Sequence, residues 1–255
     1  MPLDAFFRGI DVAFFRSAWE DPQALYVGFK GGNNRANHSH LDLGTFVLDA
    51  HGYRWAVDLG SDNYNLPAYF STQRWTYYRL TTAGHNTLLI NSVNQATSAR
   101  APIIAFHATS AWAFAVADLT AAYPMTQRVW RGVAMLDRER VLVEDEVEAE
   151  QPVDIVWGMH TPAEISIDGA LATLQQGAET VQAKIITPAG ARFEVASATP
   201  SRPDENQNAG IHKLLVRLPD KTRQVRIAIV IDTNKGSATP LTAAPLAEWV
   251  STAKK

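Results

Sequence analysis

The chain has 255 residues, a net charge of −3 and no cysteine. That length suits one large all-β domain or two small ones, and a composition of 46% apolar and 19% charged residues excludes a disordered chain. The mild negative balance leaves no electrostatic footprint for nucleic acid or an anionic membrane. Without cysteine there are no disulfides, thiolate metal sites or cysteine nucleophiles, so any metal must be held by histidine, carboxylate or water.

The segment from Met1 to Trp19 has no basic start, and Asp4, Arg8, Asp11 and Arg16 interrupt its apolar residues, so it does not read as a signal peptide. No window approaches the roughly 18 apolar residues of a membrane span. Thr45 to Asp49 and Tyr53 to Leu59 are β-rich runs joined by Ala50-His51-Gly52, a hairpin with glycine in its turn. Tyr69 to Thr82 suits only a short helical turn. Gly132 to Asp137 and Arg140 to Glu146 form a second pair, and the alternation in VLVEDEVE is that of a half-buried antiparallel strand. Further strands are expected over Asp154–Met159, Glu164–Ile167, Ala172–Leu174, Thr180–Ile186, Arg192–Val195, Lys213–Leu218 and Gln224–Ile231. Trp112, Trp130 and Trp157 are expected in the core. Pro200 to Gly210 reads as a polar surface loop, and Pro245 to Lys255 as a last short helix. About a dozen strands at this spacing predict an all-β fold, a large sandwich of antiparallel sheets with few short helices, as a single domain over residues 1–255.

Chemistry-bearing residues concentrate between Gly31 and Ile90. In His38-Ser39-His40 the two imidazoles share a face if the segment is extended, so they can share a metal, or one can bind metal while the other faces substrate. The bland alternative is two surface histidines in a loop. Asp58 lies on the return strand of the hairpin, where a straight ladder would leave His40 roughly 13 Å away at about 3.4 Å per residue. A His40–Asp58 pair therefore requires a bend at Asp42-Leu43-Gly44, which Gly44 permits. Otherwise Asp58 caps the loop amides of Gly60 and Ser61. His85, at another strand start, is either a third ligand or a polar residue ending a turn. Two histidines, a carboxylate and a water are a common set for zinc, though they also suit other divalent ions. Tyr64, Tyr69, Tyr77, Tyr78 and Trp75 lie beside Arg74 and Arg79. Of these, Arg74, Arg79, Trp75 and Tyr78 are candidates for binding sugar faces and acidic groups, with core packing as the alternative for each aromatic. A cleft face lined by Trp75, Tyr77 and Tyr78 would suit a partner surface.

In order along this stretch come N-H-S-H-L-D-L-G-T-F from Asn37, V-D-L-G-S around Asp58, Tyr69, and Y-R-x-x-x-x-G-H-N-T ending at Thr87. Here the sequence resembles the heparinase II/III-like family of polysaccharide lyases, from about Arg16 through Gln95 and more loosely onward to the residues around His160. The resemblance implies the family's C-terminal, supersandwich-like β-domain. It implies that His40, Asp58 and His85 are zinc ligands, and that Asn37, His38 and Tyr69 are active-site residues. It implies β-elimination on uronic-acid polysaccharides such as glycosaminoglycans, alginate or bacterial exopolysaccharides. Asn37 and His38 would neutralise the uronate carboxylate, histidine would serve near neutral pH, and Tyr69 would need a pKa lowered by Arg74 or Arg79. The zinc is expected to be structural, fixing the loop that carries His38. The family also places an α/α-toroid domain before the sandwich. The chain holds no helical region of that size, so an incomplete enzyme is expected, with the toroid in the same full-length chain or a separate one. In that context the setting is periplasmic or secreted.

Two other functions fit the same residues. A non-catalytic domain that binds acidic carbohydrate, or is purely structural, would need neither acid nor base. A metal-dependent hydrolase would use His40, Asp58 and His85 around an activated water, but no separate general-base glutamate stands near them.

Overall fold

A computed structural model of the chain describes residues 1–234 and 243–254. In chain order its strands are β1 (Ala5–Phe7), β2 (Val12–Arg16), β3 (Tyr26–Lys30), β4 (Gly32–Asn33), β5 (Phe46–Ala50), β6 (Tyr53–Ala56), β7 (Leu88–Ile90), β8 (Arg100–Ala101), β9 (Ile103–Ala108) and β10 (Trp112–Asp118). There follow β11 (Arg128–Leu136), β12 (Arg140–Val153), β13 (Ile155–Thr161), β14 (Glu164–Asp168), β15 (Leu171–Gln176), β16 (Glu179–Thr187), β17 (Phe193–Ser197), β18 (His212–Arg217) and β19 (Thr222–Asp232), and then helix α1 (Leu246–Ala253). Three short 3-10 turns lie between Thr72 and Gly84, where a helical turn is expected.

The strands build an antiparallel sandwich. One layer is an eight-stranded sheet in the order β14-β15-β16-β19-β12-β11-β10-β9. Facing it are a five-stranded sheet, β1-β2-β3-β5-β6, and a four-stranded sheet, β17-β18-β13-β7. The inner core alternates along each strand, as a two-residue period requires. Val129, Val133 and Met135 of β11 and Val141, Val143 and Val147 of β12 pack there against Phe15, Phe29, Phe46, Trp55 and Trp157.

The other face of the large sheet is covered as well. Phe114, Val116, Ala134, Leu142 and Ala228 form a second cluster with Leu246 and Trp249 of α1. The helix approaches so closely that a Cβ on Gly132 would lie 2.5 Å from a Leu246 methyl and 2.8 Å from the Trp249 ring. Thus β12 is buried on both faces rather than half-buried. Of the three tryptophans expected in the core, only Trp157 is fully enclosed. Trp112 and Trp130 fall on the outward register and pack half-buried onto the second cluster.

The loop expected over Pro200–Gly210 does more than cover surface. Glu205 Oε2 accepts the Tyr78 N–H at 2.5 Å, Asp62 accepts the Asn206 N–H, and Asn208 Oδ1 accepts from Arg79 Nε at 2.8 Å. It braces the polar stretch from outside.

Candidate metal centre and its aromatic margin

Gly44 has φ +83°, and its N–H bonds to the Lys30 carbonyl at 2.7 Å. That left-handed residue turns the chain from the His40 loop into β5, the bend that a His40–Asp58 approach requires. On the return side, β6 ends at Ala56 and Val57 N–H switches to the His160 carbonyl of β13. Asp58 is thereby carried off the hairpin and towards β7. His85 enters from the last 3-10 turn, just before β7.

Of the three candidate ligands, Asp58 and His85 converge, whereas His40 stands near the pair but outside the close group of potential ligands that the structure forms. His85 Nδ1 is 2.9 Å from Asp58 Oδ2, and the His40 and His85 rings are 5.2 Å apart between centroids. Asp58 Oδ1 accepts the Gly60 N–H at 2.8 Å, so the carboxylate caps its own loop and also holds the histidine. Asp42, which the sequence reading passed over, joins them: one donor atom each from Asp42, Asp58 and His85 lies within 4.8 Å of the other two. Asp42 is held by Lys30 Nζ, 2.7 Å from both carboxylate oxygens. The spacing 38, 40, 42 was its available signal, a third same-face residue in an extended run.

Protonation follows from burial and charge. Desolvation, with the His85 charge beside it, pushes His40 down to about 4, so at neutral pH it is an uncharged imidazole with one ring nitrogen able to accept or ligate. Burial alone would lower His85, but the charge and hydrogen bond of Asp58 outweigh it and raise the imidazole. Burial alone would raise Asp58, but the reciprocal interaction with His85 and the Gly60 N–H hold it well below the usual carboxylate range. One atom is left without a partner: His85 Nε2, wholly buried and unbonded. A buried imidazole nitrogen without a partner calls for a ligand, since leaving it bare is costly. The neutral His40 imidazole and the Asp42 and Asp58 carboxylates lie nearby, a set of nitrogen and oxygen donors of the type that suits a divalent ion, zinc among them.

At the rim stands His38, an exposed residue in the left-handed region at φ +59°. Its ring stacks on Tyr64 at 6.4 Å and meets Phe70 edge-on at 6.1 Å. Tyr64 and Phe70 are themselves 51% and 60% exposed, an aromatic wall open to solvent. Asn37 is exposed beside it. Tyr69 lies behind the wall, buried against Tyr64, Phe70 and Tyr77, and its hydroxyl accepts the Asp62 N–H at 3.2 Å. Burial raises its pKa despite the opposing pull of Arg74. Arg74, with Cζ 5.9 Å from the ring centroid, pulls in the expected direction, but burial outweighs it and no net lowering results.

Arg74 donates from Nη2 to the Ser39 carbonyl at 2.8 Å, tying its helical turn to the His38-Ser39-His40 loop, and stacks on Trp75 at 4.6 Å. Its Nε is buried without a partner. Arg79 instead ties loops together, from Nε to Asn208 and from Nη1 to the Leu59 and Ser61 carbonyls. Tyr78 points inward, its hydroxyl 2.8 Å from His160 Nε2, and burial raises it. Tyr77 is fully enclosed. The cleft face expected from Trp75, Tyr77 and Tyr78 therefore does not form; the exposed aromatics are Tyr64 and Phe70, displaced to the segment before the 3-10 turns.

The fold and this site define a class, an antiparallel sandwich presenting a histidine–carboxylate centre on loops between its smaller sheets. The model of the family described as heparinase II/III-like, C-terminal, matches residues 13–239. The chain belongs to that family. The sandwich superposes on a heparan sulfate lyase from Pedobacter heparinus with TM-score 0.76 at 16% identity, covering 94% of this chain and 37% of that one. A heparinase III structure gives TM-score 0.75 at 19% identity over 92% of this chain and 37% of its own. A second heparinase III gives 0.75 at 15%, over 94% and 38%. The chain thus spans well under half the length of these structures. A search of curated protein sequences finds no match. Among the described residues, no helix is long and apolar enough to cross a membrane.

Proposed function

We propose that this chain is the β-sandwich part of a polysaccharide lyase that cleaves uronic-acid-containing polysaccharide by β-elimination. Its zinc would be held by His40, Asp58 and His85, with Asp42 alongside. The observation that carries this is the buried, unpartnered His85 Nε2, with the neutral His40 and the Asp42 and Asp58 carboxylates nearby, and with His38, two residues before His40, exposed in an aromatic wall. When bound, the ion supplies a fixed positive charge that locks the loop. In the elimination a base removes the C5 proton, the electron pair forms the C4–C5 double bond, the C4–oxygen bond breaks, and the leaving oxygen takes a proton. His38 and Asn37 face outward and are placed to donate to the uronate carboxylate, where negative charge builds. Tyr69, held protonated by burial, suits the acid role better than the base. Arg74 positions the loop through Ser39 and offers its remaining donors to an acidic substrate. An α/α-toroid domain, in the same full-length chain or a separate one, supplies the opposite wall and the rest of the acid–base set, in a periplasmic or secreted setting.

Metal analysis of the purified chain, combined with ultraviolet detection of the 4,5-unsaturated uronate, tests this. One zinc per chain is expected, lost in His85→Ala. The chromophore is expected only when the sandwich is joined to a toroid domain. A chain that binds no divalent ion would overturn the metal assignment. Cleaved sugar without the chromophore would point to a hydrolase instead.

A further inference from the structure

Arg131 and Asp145 face each other across β11 and β12 in the inward register, with no exposed surface. Their neighbours in that register are Val129, Val133, Val143 and Val147. An ion pair in such a row is hard to justify by stability alone, since apolar pairs of similar volume do as well or better. Two guanidinium contacts to Asp145, at 2.7 and 2.8 Å, hold the arginine rigidly. Its remaining nitrogen, Nη1, reaches out of the eight-stranded sheet to two carbonyls of the facing layer. It donates to Gly44 O at 2.9 Å and to Asn86 O at 2.8 Å. Gly44 ends the loop of His40 and Asp42, and Asn86 directly follows His85.

We propose that Arg131, braced by Asp145, is a positioning residue that sets the separation of the two histidine loops and thereby tunes the affinity of the divalent-cation centre. This rests on the reading of His40, Asp58 and His85 as that centre. Neutral bonds also join or steady the loops, among them Asn86 N–H to Thr45 Oγ1, Asn86 Nδ2 to the Phe46 and Val57 carbonyls, Thr87 Oγ1 to Leu43 O, and the paired bonds between Gln95 and Leu43. They lie within the same layer and carry no charge, whereas the Arg131 contacts are charge-assisted and anchored in the opposite sheet. The expected loss of affinity is therefore about tenfold, the lower end of the range for residues that orient metal ligands from behind.

The test uses zinc alone, titrated against a chromophoric chelator, on three chains: wild type, Arg131→Lys, and the apolar pair Arg131→Met with Asp145→Leu. The apolar pair guards against misfolding, because no charge is left buried alone. Amide hydrogen exchange over residues 41–45 and 85–87 is followed in the metal-free proteins. Both variants are expected to bind zinc about tenfold more weakly and to exchange faster in those two segments, while the metal-free apolar pair melts close to wild type. Zinc affinity within twofold of wild type in a folded variant overturns the proposal and leaves the centre standing. If wild type itself binds no zinc, the centre is overturned, and unchanged exchange in the variants would then overturn the clamp as well.

Discussion

At the residue scale the site turns on how two oxygens of Asp58 are used. One caps the Gly60 N–H, the other holds His85 Nδ1. The cap and the His85 contact coexist because they use different oxygens. Asp58→Asn keeps an acceptor for Gly60 but removes the charge beside His85. Burial then acts on the imidazole against only the weaker pull of Asp42. In the metal-free protein, the His85 pKa followed by NMR should fall from above the ordinary histidine value to below it. The stability profile should follow. A raised folded-state pKa contributes stability that is present at low pH and lost as pH rises through it. Wild type should therefore gain stability as the pH falls through the His85 titration, and Asp58→Asn should not. A His85 titration unmoved by Asp58→Asn would show that the 2.9 Å contact carries no coupling.

At the element scale β12 shows what was legible and what was not. Its alternation announces a strand, and the structure has one. The same string hides two facts. Asp145 falls on the apolar register with Val141, Val143 and Val147, a break in period that marks the buried pair with Arg131. Glu144 and Glu146 fall on the outward register, which reads as solvent until α1 is placed over it. There Glu146 Oε1 caps the first helical N–H, that of Leu246, at 2.9 Å, while Arg226 reaches Glu144 at 2.6 Å. Strands β9 and β10 escape a sequence reading for a related reason. Alanine favours helices, yet Ala113, Ala115 and Ala117 serve here as small inward-facing residues. The bend at Gly44 was legible because one residue type has few reasons to sit there; Asp42 was not, because a carboxylate two residues past a histidine is common. Burial under α1 has a measurable consequence. It pushes Glu144 up to about 7, against the pull of Arg226. The carboxyl is favoured protonated in the folded state, so its contribution is complete below about 4.5 and disappears as pH rises through about 7. The change is on the order of 3 kcal/mol. Glu144→Gln keeps an acceptor for Arg226 and should flatten that part of the stability curve in thermal melts; a slope identical to wild type would assign the pH dependence elsewhere.

At the scale of the whole molecule, rigidity and openness are distributed unevenly. The loops that carry the candidate ligands are tied to the large sheet through Arg131, and the polar stretch next to them is braced at Tyr78, Asp62 and Arg79 by Glu205, Asn206 and Asn208. The wall of His38, Tyr64 and Phe70 is exposed to solvent. A β-elimination site needs three services: charge neutralisation at the carboxylate, a base and an acid. On the proposed reading His38, Asn37 and Tyr69 would offer part of that set and a toroid domain the rest. This separates His38 from the ligands two residues away. His38 is exposed, and among the described residues its ring meets Tyr64 and Phe70 at 6.4 and 6.1 Å between centroids, so truncating it removes little packing. In the sandwich joined to its toroid domain, His38→Ala should reduce the rate of unsaturated-uronate formation by at least about a hundredfold, the scale of a lost proton-transfer or charge-stabilising group. Zinc content and melting temperature should stay at wild-type values. His85→Ala should differ, lowering both zinc content and thermal stability along with turnover. If His38→Ala weakens only the binding of acidic oligosaccharide, with turnover per bound substrate unchanged, the sandwich is a carbohydrate-binding wall and the chemistry belongs to the other domain.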